Sequence, residues 1–177
     1  NRSDSVEKLL KCLSTQSFPS RDFEVIVSID GSTDTTQEIV DSFQPDFKLI
    51  SIWQPNSGRA AACNRGIQAA AGEVIILLDD DMEPSCELVS AHYSAHSGDA
   101  RIAVVGAAPI LITDLSPPVV KYIGAKFNAH IDKISVRDFD FHIRDFYTGN
   151  FSIRKDVLLE VGMFNEVFKV YGNEDVE

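Results

Sequence analysis

Three consecutive carboxylates, Asp79-Asp80-Asp81, stand directly after the apolar run Glu73 to Leu78 (EVIILL). Such a triplet repels itself unless a cation sits among its oxygens, and hard oxygen ligands suit Mg²⁺ or Mn²⁺. The other reading of the same residues is a solvated acidic turn, and the triplet alone leaves both open. A second acidic group, Asp30-Gly31-Ser32-Thr33-Asp34, follows the run Phe23 to Ile29 (FEVIVSI). By itself it reads best as a turn whose Asp34 caps the next helix. Asn56-Ser57-Gly58-Arg59, with Asn64 and Gly66 beyond, puts a guanidinium near a helix start, where anions are favoured. A plain surface arginine is the alternative there.

Several familiar chemistries are absent. A Walker B reading of the acidic strand end needs a GxxxxGK[ST] loop, and the chain has none. A phosphatase motif of the DxDx[TV] kind fails because its fifth position is Glu83. No GxGxxG follows a strand. His92 and His96 have the i, i+4 spacing of paired metal ligands, but Tyr93 replaces the glutamate of HExxH, so a partly solvated helix face is expected. Trp53 could stack on a base; a buried aromatic at a strand end is the preferred reading.

The elements that position these residues follow from periodicity. Val6, Leu9, Leu10 and Leu13 predict an amphipathic helix over 5–16. Runs 23–29, 47–53 and 73–78 are short, apolar and rich in β-branched residues, as strands buried on both faces should be. Helices are predicted over 35–43, over 59–71 (stripe Ala60, Cys63, Ile67, Ala70, with Gly72 as the stop) and over 84–97. A strand over 102–107 comes next. This alternation predicts an α/β fold with parallel strands. Residues 108–145 lose the pattern at Pro109, Pro117 and Pro118, and 121–145 has no clean period. Regularity returns with a strand over 146–153 and a short helix over 155–161. No linker interrupts the chain, so one domain with an irregular insertion is expected. Its opening on a helix and its end just past an acidic cluster suggest a fragment or one module of a longer protein.

The 177 residues carry 16 Lys+Arg against 27 Asp+Glu, a net charge of −11. That balance argues against binding a phosphate backbone, which needs clustered cations, yet allows a nucleotide if a divalent cation mediates. Cys12, Cys63 and Cys86 form neither a CxxC pair nor an even set, which fits a reducing compartment. The longest apolar stretch, Ile102 to Ile112, is short of the ~20 residues a membrane helix needs.

Taken in order, VIVSIDGSTDTT and QPNSGRAAACNRGIQAAAGEVIILLDDDM resemble the nucleotide-binding half of family 2 glycosyltransferases, and TGNFSIRKDVLLEVGMFNEVFKVYGNEDVE resembles their acceptor-side segment with its ED motif. The resemblance runs almost without gaps over 23–83. Two positions depart from it: only Asn1-Arg2 could be the tail of the family's first strand, and Ile29 stands where the first Asp of DDGS is usual.

The resemblance implies a GT-A (Rossmann-like) three-layer α/β/α fold with a mainly parallel central sheet, its nucleotide-binding half about 1–107 and its acceptor-side part about 108–177. It implies an inverting, metal-assisted transfer of a hexosyl or N-acetylhexosaminyl group from a nucleotide-diphosphate sugar, a UDP-sugar foremost, as in polysaccharide biosynthesis. The acceptor would be a saccharide, a lipid-linked molecule or another hydroxyl compound. In this reading Asp30 accepts from the base, and Arg59 approaches the nucleotide or its phosphates. Asp79 and Asp80 bind the nucleotide sugar, Asp79 at ribose or sugar hydroxyls; Asp79 and Asp81 hold Mn²⁺ or Mg²⁺, and the run of three leaves open whether Asp80 or Asp81 touches the metal. Asp175 is the base, Glu174 orients acceptor or donor sugar, and Gly149 and Asn150 line the acceptor side. No nucleic acid is expected as partner. A cytoplasmic location is expected, with membrane contact only through parts outside this chain. The rival expectations are a sugar nucleotidyltransferase and a non-catalytic module that binds a nucleotide sugar.

Overall fold

A computed structural model describes residues 1–98, 101–136, 138–140, 142 and 145–167. Strands and helices alternate: α1 (Ser3–Leu13), β1 (Glu24–Asp30), α2 (Thr36–Ser42), β2 (Lys48–Gln54), α3 (Arg59–Ala69), β3 (Val74–Leu78), α4 (Leu88–Ala95) and β4 (Ala103–Val105). There follow α5 (Pro118–Ile134), β5 (Asn150–Arg154) and α6 (Lys155–Glu160).

β1 and β2 pair in parallel, Glu24 opposite Lys48 through Asp30 opposite Gln54. β5 lies between β3 and β4 and is antiparallel to both, so β3 and β4 run in the same direction. The parallel expectation thus holds for β1 with β2 and for the sense of β3 and β4. The antiparallel β5 was not foreseen, because a chain that returns through a long insertion can enter a sheet from either end.

Alternation along the strands makes the layers. Val25, Val27 and Ile29 pack with Val6, Leu10 and Leu13 of α1 and Val40 of α2. The intervening Ser28 faces α3, where a Cβ on Gly66 would lie 3.0 Å from its Oγ. The second cluster joins Ile67 of α3 to Ile75, Phe151, Ile153 and Leu158. Residues of opposite parity on β5, Asn150 and Ser152, meet α4 instead. α1 and α2 therefore cover one face of the β1-β2 sheet and α4 one face of the β3-β5-β4 sheet, while α3 packs on the opposite face of both, joined on the second by α6.

Three helix expectations change. α4 begins at Leu88 rather than near Pro84, because the Gln16 side chain accepts from Val89 N and donates to Ser85 O, fixing 85–89 as a turn and first helical residues against the end of α1. α3 ends before Gly72, the backbone turning to extended geometry at Ala70. The region read as irregular contains the longest helix, α5, started by Pro118 in its first turn. Its apolar residues do not share one face, for Gly124, Ile131 and Ile134 are buried while Val119, Tyr122 and Ile123 are exposed, and this hid the period. Among the described residues no helix is long and apolar enough to cross a membrane.

The two clusters make a stability test possible. Leu10 and Ile67, one in each, are both 1% exposed. In the full-length protein, Leu10→Ala and Ile67→Ala should each lower unfolding free energy by about 2–5 kcal/mol in urea titrations.

Candidate active site

Asp30 and Asp79 end β1 and β3, and both are reached by the start of α3. The chain enters that helix through Gly58 at φ 94°, a left-handed geometry that suits glycine. Asp30 Oδ2 accepts from Gly58 N at 2.9 Å, and its Oδ1 accepts from Ser57 N and Gln54 Nε2, each at 2.8 Å. The next residue, Arg59, donates from one guanidinium nitrogen to Asp79 Oδ1 at 2.9 Å and from the other to Thr148 Oγ1 at 2.9 Å. Two residues adjacent in sequence thus tie the two strand ends together. Gly31, at φ 73°, closes the same corner: a Cβ there would stand 2.8 Å from Asn56 Cβ and N.

The acidic triplet has three environments. Asp79 is held by Arg59, and its N–H donates to Gly149 O at 3.0 Å, which extends the β3–β5 ladder by one residue. A Cβ on Gly149 would lie 2.8 Å from Asp79 Oδ2, so the close approach requires glycine. Burial raises the pKa of Asp80, Arg2 opposes this, and the neighbouring Asp81 and Asp79 charges add to the rise. Asp81 is the most exposed of the two that Arg2 approaches, at 4.0 Å against 3.7 Å for Asp80. Among the described residues no ready-made cluster of metal ligands exists. Asp34 acts as the sequence suggested: it accepts from Thr36 N and Oγ1 at the start of α2, which lowers its pKa to about 2.

The acceptor-side residues divide. Gly149 abuts Asp79, but Asn150 is buried and its amide is engaged: Oδ1 lies 2.9 Å from His92 Nε2, and Nδ2 donates to Ala107 O at 3.2 Å. Asn150 thus directs its amide toward α4 and Ala107, while Gly149 stands against Asp79. Glu174 and Asp175 lie outside the described residues. The segment before them is anchored by Asn64, whose amide exchanges hydrogen bonds with Phe164 O and N and donates to Glu166 Oε1.

Two expectations fail. His92 and His96 are buried rather than partly solvated, and both bond to Ser152, at 2.7 and 2.9 Å. Their helix packs on β5, whose polar face supplies the partners; the polar Ser152, embedded in an apolar strand, was the overlooked signal. Trp53 is half exposed, its Nε1 donating to Ser32 O at 3.3 Å. It pairs with Ile29, which puts it on the sheet face opposite Gln54 and Asp30. Thr148 and Asn64 hold the site together in ways the sequence reading did not assign, although both fall within the quoted motifs.

Two sheets, β1-β2 and β3-β5-β4, are spanned by α3 and carry their acids at the carboxyl ends of β1 and β3; this is the arrangement of a GT-A domain, and open α/β folds bind ligands at such a rim. The chain belongs to glycosyl transferase family 2, whose family model matches residues 1–162. Among curated relatives, validoxylamine A glucosyltransferase of Streptomyces hygroscopicus subsp. jinggangensis is 29% identical over 201 residues, covering 100% of this chain and 48% of that protein. The GalNAc(5)-diNAcBac-PP-undecaprenol β-1,3-glucosyltransferase of Campylobacter jejuni is 32% identical over 181 residues, covering 98% and 54%. The chain spans about half the length of the curated relatives it matches. Among solved structures, the mannosyltransferase PcManGT of Pyrobaculum calidifontis, in complex with GDP-Man and Mn²⁺, superposes with TM-score 0.72 at 19% identity, covering 99% of this chain and 47% of that one. Residues 1–349 of S. aureus TarS with UDP give 0.70 at 21% identity, covering 96% and 49%. These likenesses establish the shared fold.

The buried histidines predict a pH dependence. Burial lowers the pKa of both below 6.5, in His96 with help from His92 and Arg154, while the hydrogen bonds to Asn150 and Ser152 oppose the shift. Between the folded values and 6.5 the unfolded chain binds more protons, so stability falls as pH drops through 6.5. Thermal melts from pH 7.5 to 5 should show this decline, at most about 1.4 kcal/mol per pH unit for each histidine. A His92→Gln, His96→Gln variant should show a flatter profile over that range.

Proposed function

We propose that this chain carries the donor-binding and catalytic residues of an inverting glycosyltransferase that uses a nucleotide-diphosphate sugar, a UDP-sugar in the first instance. The observation that carries the reading is the junction at the start of α3, where Gly58 holds Asp30 and Arg59 holds Asp79. It gathers a hydrogen-bond acceptor, a guanidinium and the acidic triplet at one rim, a combination suited to a base, a diphosphate and sugar hydroxyls. That PcManGT was solved with GDP-Man and Mn²⁺ and TarS with UDP supports a nucleotide-sugar ligand. The Campylobacter relative's name suggests a lipid-linked acceptor. In this reading residues 1–107 form the nucleotide half and the chain from 108 the acceptor side.

Asp30 uses three acceptor sites on Gln54, Ser57 and Gly58, and a carboxylate offers about four. The remaining one takes the imide N–H of uracil. Arg59 holds the Asp79 carboxylate in place, and stands near the phosphates. Asp79 accepts from ribose or sugar hydroxyls. The donor set fits a divalent cation, since Asp81 is an exposed carboxylate and Asp80 beside it suffers the field of its acidic neighbours. Asp81 and Asp79 would hold Mn²⁺ or Mg²⁺, which when bound supplies positive charge opposite a leaving diphosphate. Asp175 takes the proton of the acceptor hydroxyl as its oxygen attacks the anomeric carbon and the bond to the diphosphate breaks. Attack from the opposite face inverts the centre. Glu174 orients the acceptor or donor sugar.

Calorimetric titration of the full-length protein with UDP tests the donor half. Affinity should rise with Mn²⁺ or Mg²⁺, Asp81→Ala should remove most of that rise, and Asp30→Ala should cost about 1–3 kcal/mol. Equal affinity in metal and in EDTA would remove the cation from the reading.

The acceptor half is tested by Asp175→Asn, which should keep UDP affinity while transfer falls roughly 10²–10⁴-fold. Near-normal turnover of that variant refutes Asp175 as base, and loss of UDP binding moves it to the donor side.

A further inference from the structure

Behind the acidic rim, on the α4 side of the sheet, lies a closed polar network that the proposed reaction does not use. His92, His96, Asn150 and Ser152 are all buried, Ser152 completely, at 0% exposure. The proton order in this network can be worked out. Asn150 Nδ2 donates to Ala107 O, so Oδ1 is the atom facing His92, and His92 Nε2 must carry a proton. In the neutral ring Nδ1 then accepts, and the Ser152 hydroxyl donates to it. Ser152 Oγ in turn accepts from His96 Nε2, which leaves His96 Nδ1 as a bare acceptor; that atom is buried with no partner among the described residues. The hydrogen bonds thus run in one direction, from His96 through Ser152 and His92 to Asn150 and on to Ala107 O.

The end of this relay is mechanically tied to the site. Asn150 O accepts from Gly106 N at 2.8 Å, and a Cβ on Gly106 would fall 2.3 Å from Asn150 Nδ2, so the amide is clamped between β4's exit and α4. The residues immediately before it are Thr148, which holds Arg59, and Gly149, which holds the Asp79 backbone. We propose that His92 is a positioning residue: by fixing the Asn150 amide it sets where Thr148 and Gly149 stand, and through them the geometry of Arg59 and Asp79. This rests on the reading of Asp79 and Arg59 as donor-site residues. Groups that support metal- or substrate-binding side chains from behind commonly change affinity or activity 10–100-fold when removed.

The experiment uses the full-length protein, with UDP and Mn²⁺ as the probe and acceptor turnover where transfer is measurable. His92→Leu removes the donor to Asn150, and His92→Gln restores an N–H. In folded His92→Leu, UDP–Mn²⁺ affinity should fall about tenfold or more, with His92→Gln recovering much of it. The double variant His92→Leu, Asn150→Ala should bind no worse than the weaker single one, because both delete the same contact. If His92→Leu fails to fold, Asn150→Ala alone carries the decision. Wild-type UDP affinity in folded His92→Leu or Asn150→Ala overturns the proposal, and so does a fully additive double variant. Asp79→Ala is the separating arm: unchanged UDP binding there defeats the donor-site reading itself, whereas weakened binding there with normal His92→Leu defeats only the positioning role.

Discussion

Asp79 is fastened twice, by its backbone N–H to Gly149 O and by its carboxylate to Arg59, and the other contacts of the rim depend on those two. The backbone bond makes the end of β3 and the start of β5 a single edge. The ion pair joins that edge to the first turn of α3, and Gly58 joins α3 to Asp30. A second, looser link runs through the chain's first two residues: Asn1 Oδ1 accepts from Thr33 N beyond β1, and the Arg2 guanidinium lies 3.7 Å from Asp80 beyond β3. Because the pair is only partly exposed, at 29% and 32% for the two side chains, it is screened less than a surface bridge. Its value lies in register and orientation more than in net stability, since bringing both charges out of water offsets much of their attraction.

The electrostatics of the rim follow from that arrangement. One guanidinium answers Asp79, and Arg2 lies at 3.7–4.0 Å from Asp80 and Asp81, long for a strong ion pair. Negative charge therefore exceeds local positive charge at this point, within a chain whose net charge is already −11. The raised pKa of Asp80 is the same imbalance seen from inside, burial first and like charges after. A diphosphate brought to such a surface needs positive charge that the described side chains supply only in part.

How much of this was legible beforehand depended on whether a signal was local. Strand ends followed by DGSTD or DDD state their own position, because a buried apolar run and a turn cluster are both readable over a few residues. Asp30 and Asp79 are read that way and Arg59 from the Asn-Ser-Gly run that opens its helix, and the structure brings the three together. α5 was not, since its apolar residues serve different neighbours at its two ends and the helical period is diluted. The burial of His92 and His96 was also hidden: the decision rests on Ser152 and Asn150, about 60 residues away, and no spacing within α4 records it. Thr148 and Asn64 were passed over for the same reason, being ordinary polar residues until the fold sets Arg59 and Phe164 beside them.

β5 shows why the site can tolerate an acidic, hydrated edge above a dry interior. Phe151 and Ile153 point into the apolar cluster with Ile67 and Ile75, while Asn150 and Ser152 point to the histidines. A slip of one residue would exchange the two sets, burying an amide and a hydroxyl among aliphatic side chains and setting Phe151 against His92. Both faces would lose at once: unpaired buried polar groups cost about 1–3 kcal/mol each, and the apolar cluster would lose its fit. The register is therefore fixed twice, by hydrophobic packing on one face and by directional hydrogen bonds on the other. Gly149 falls opposite Asp79 as a consequence of that register, and its missing side chain then admits the Asp79 carboxylate at a distance no other residue would allow.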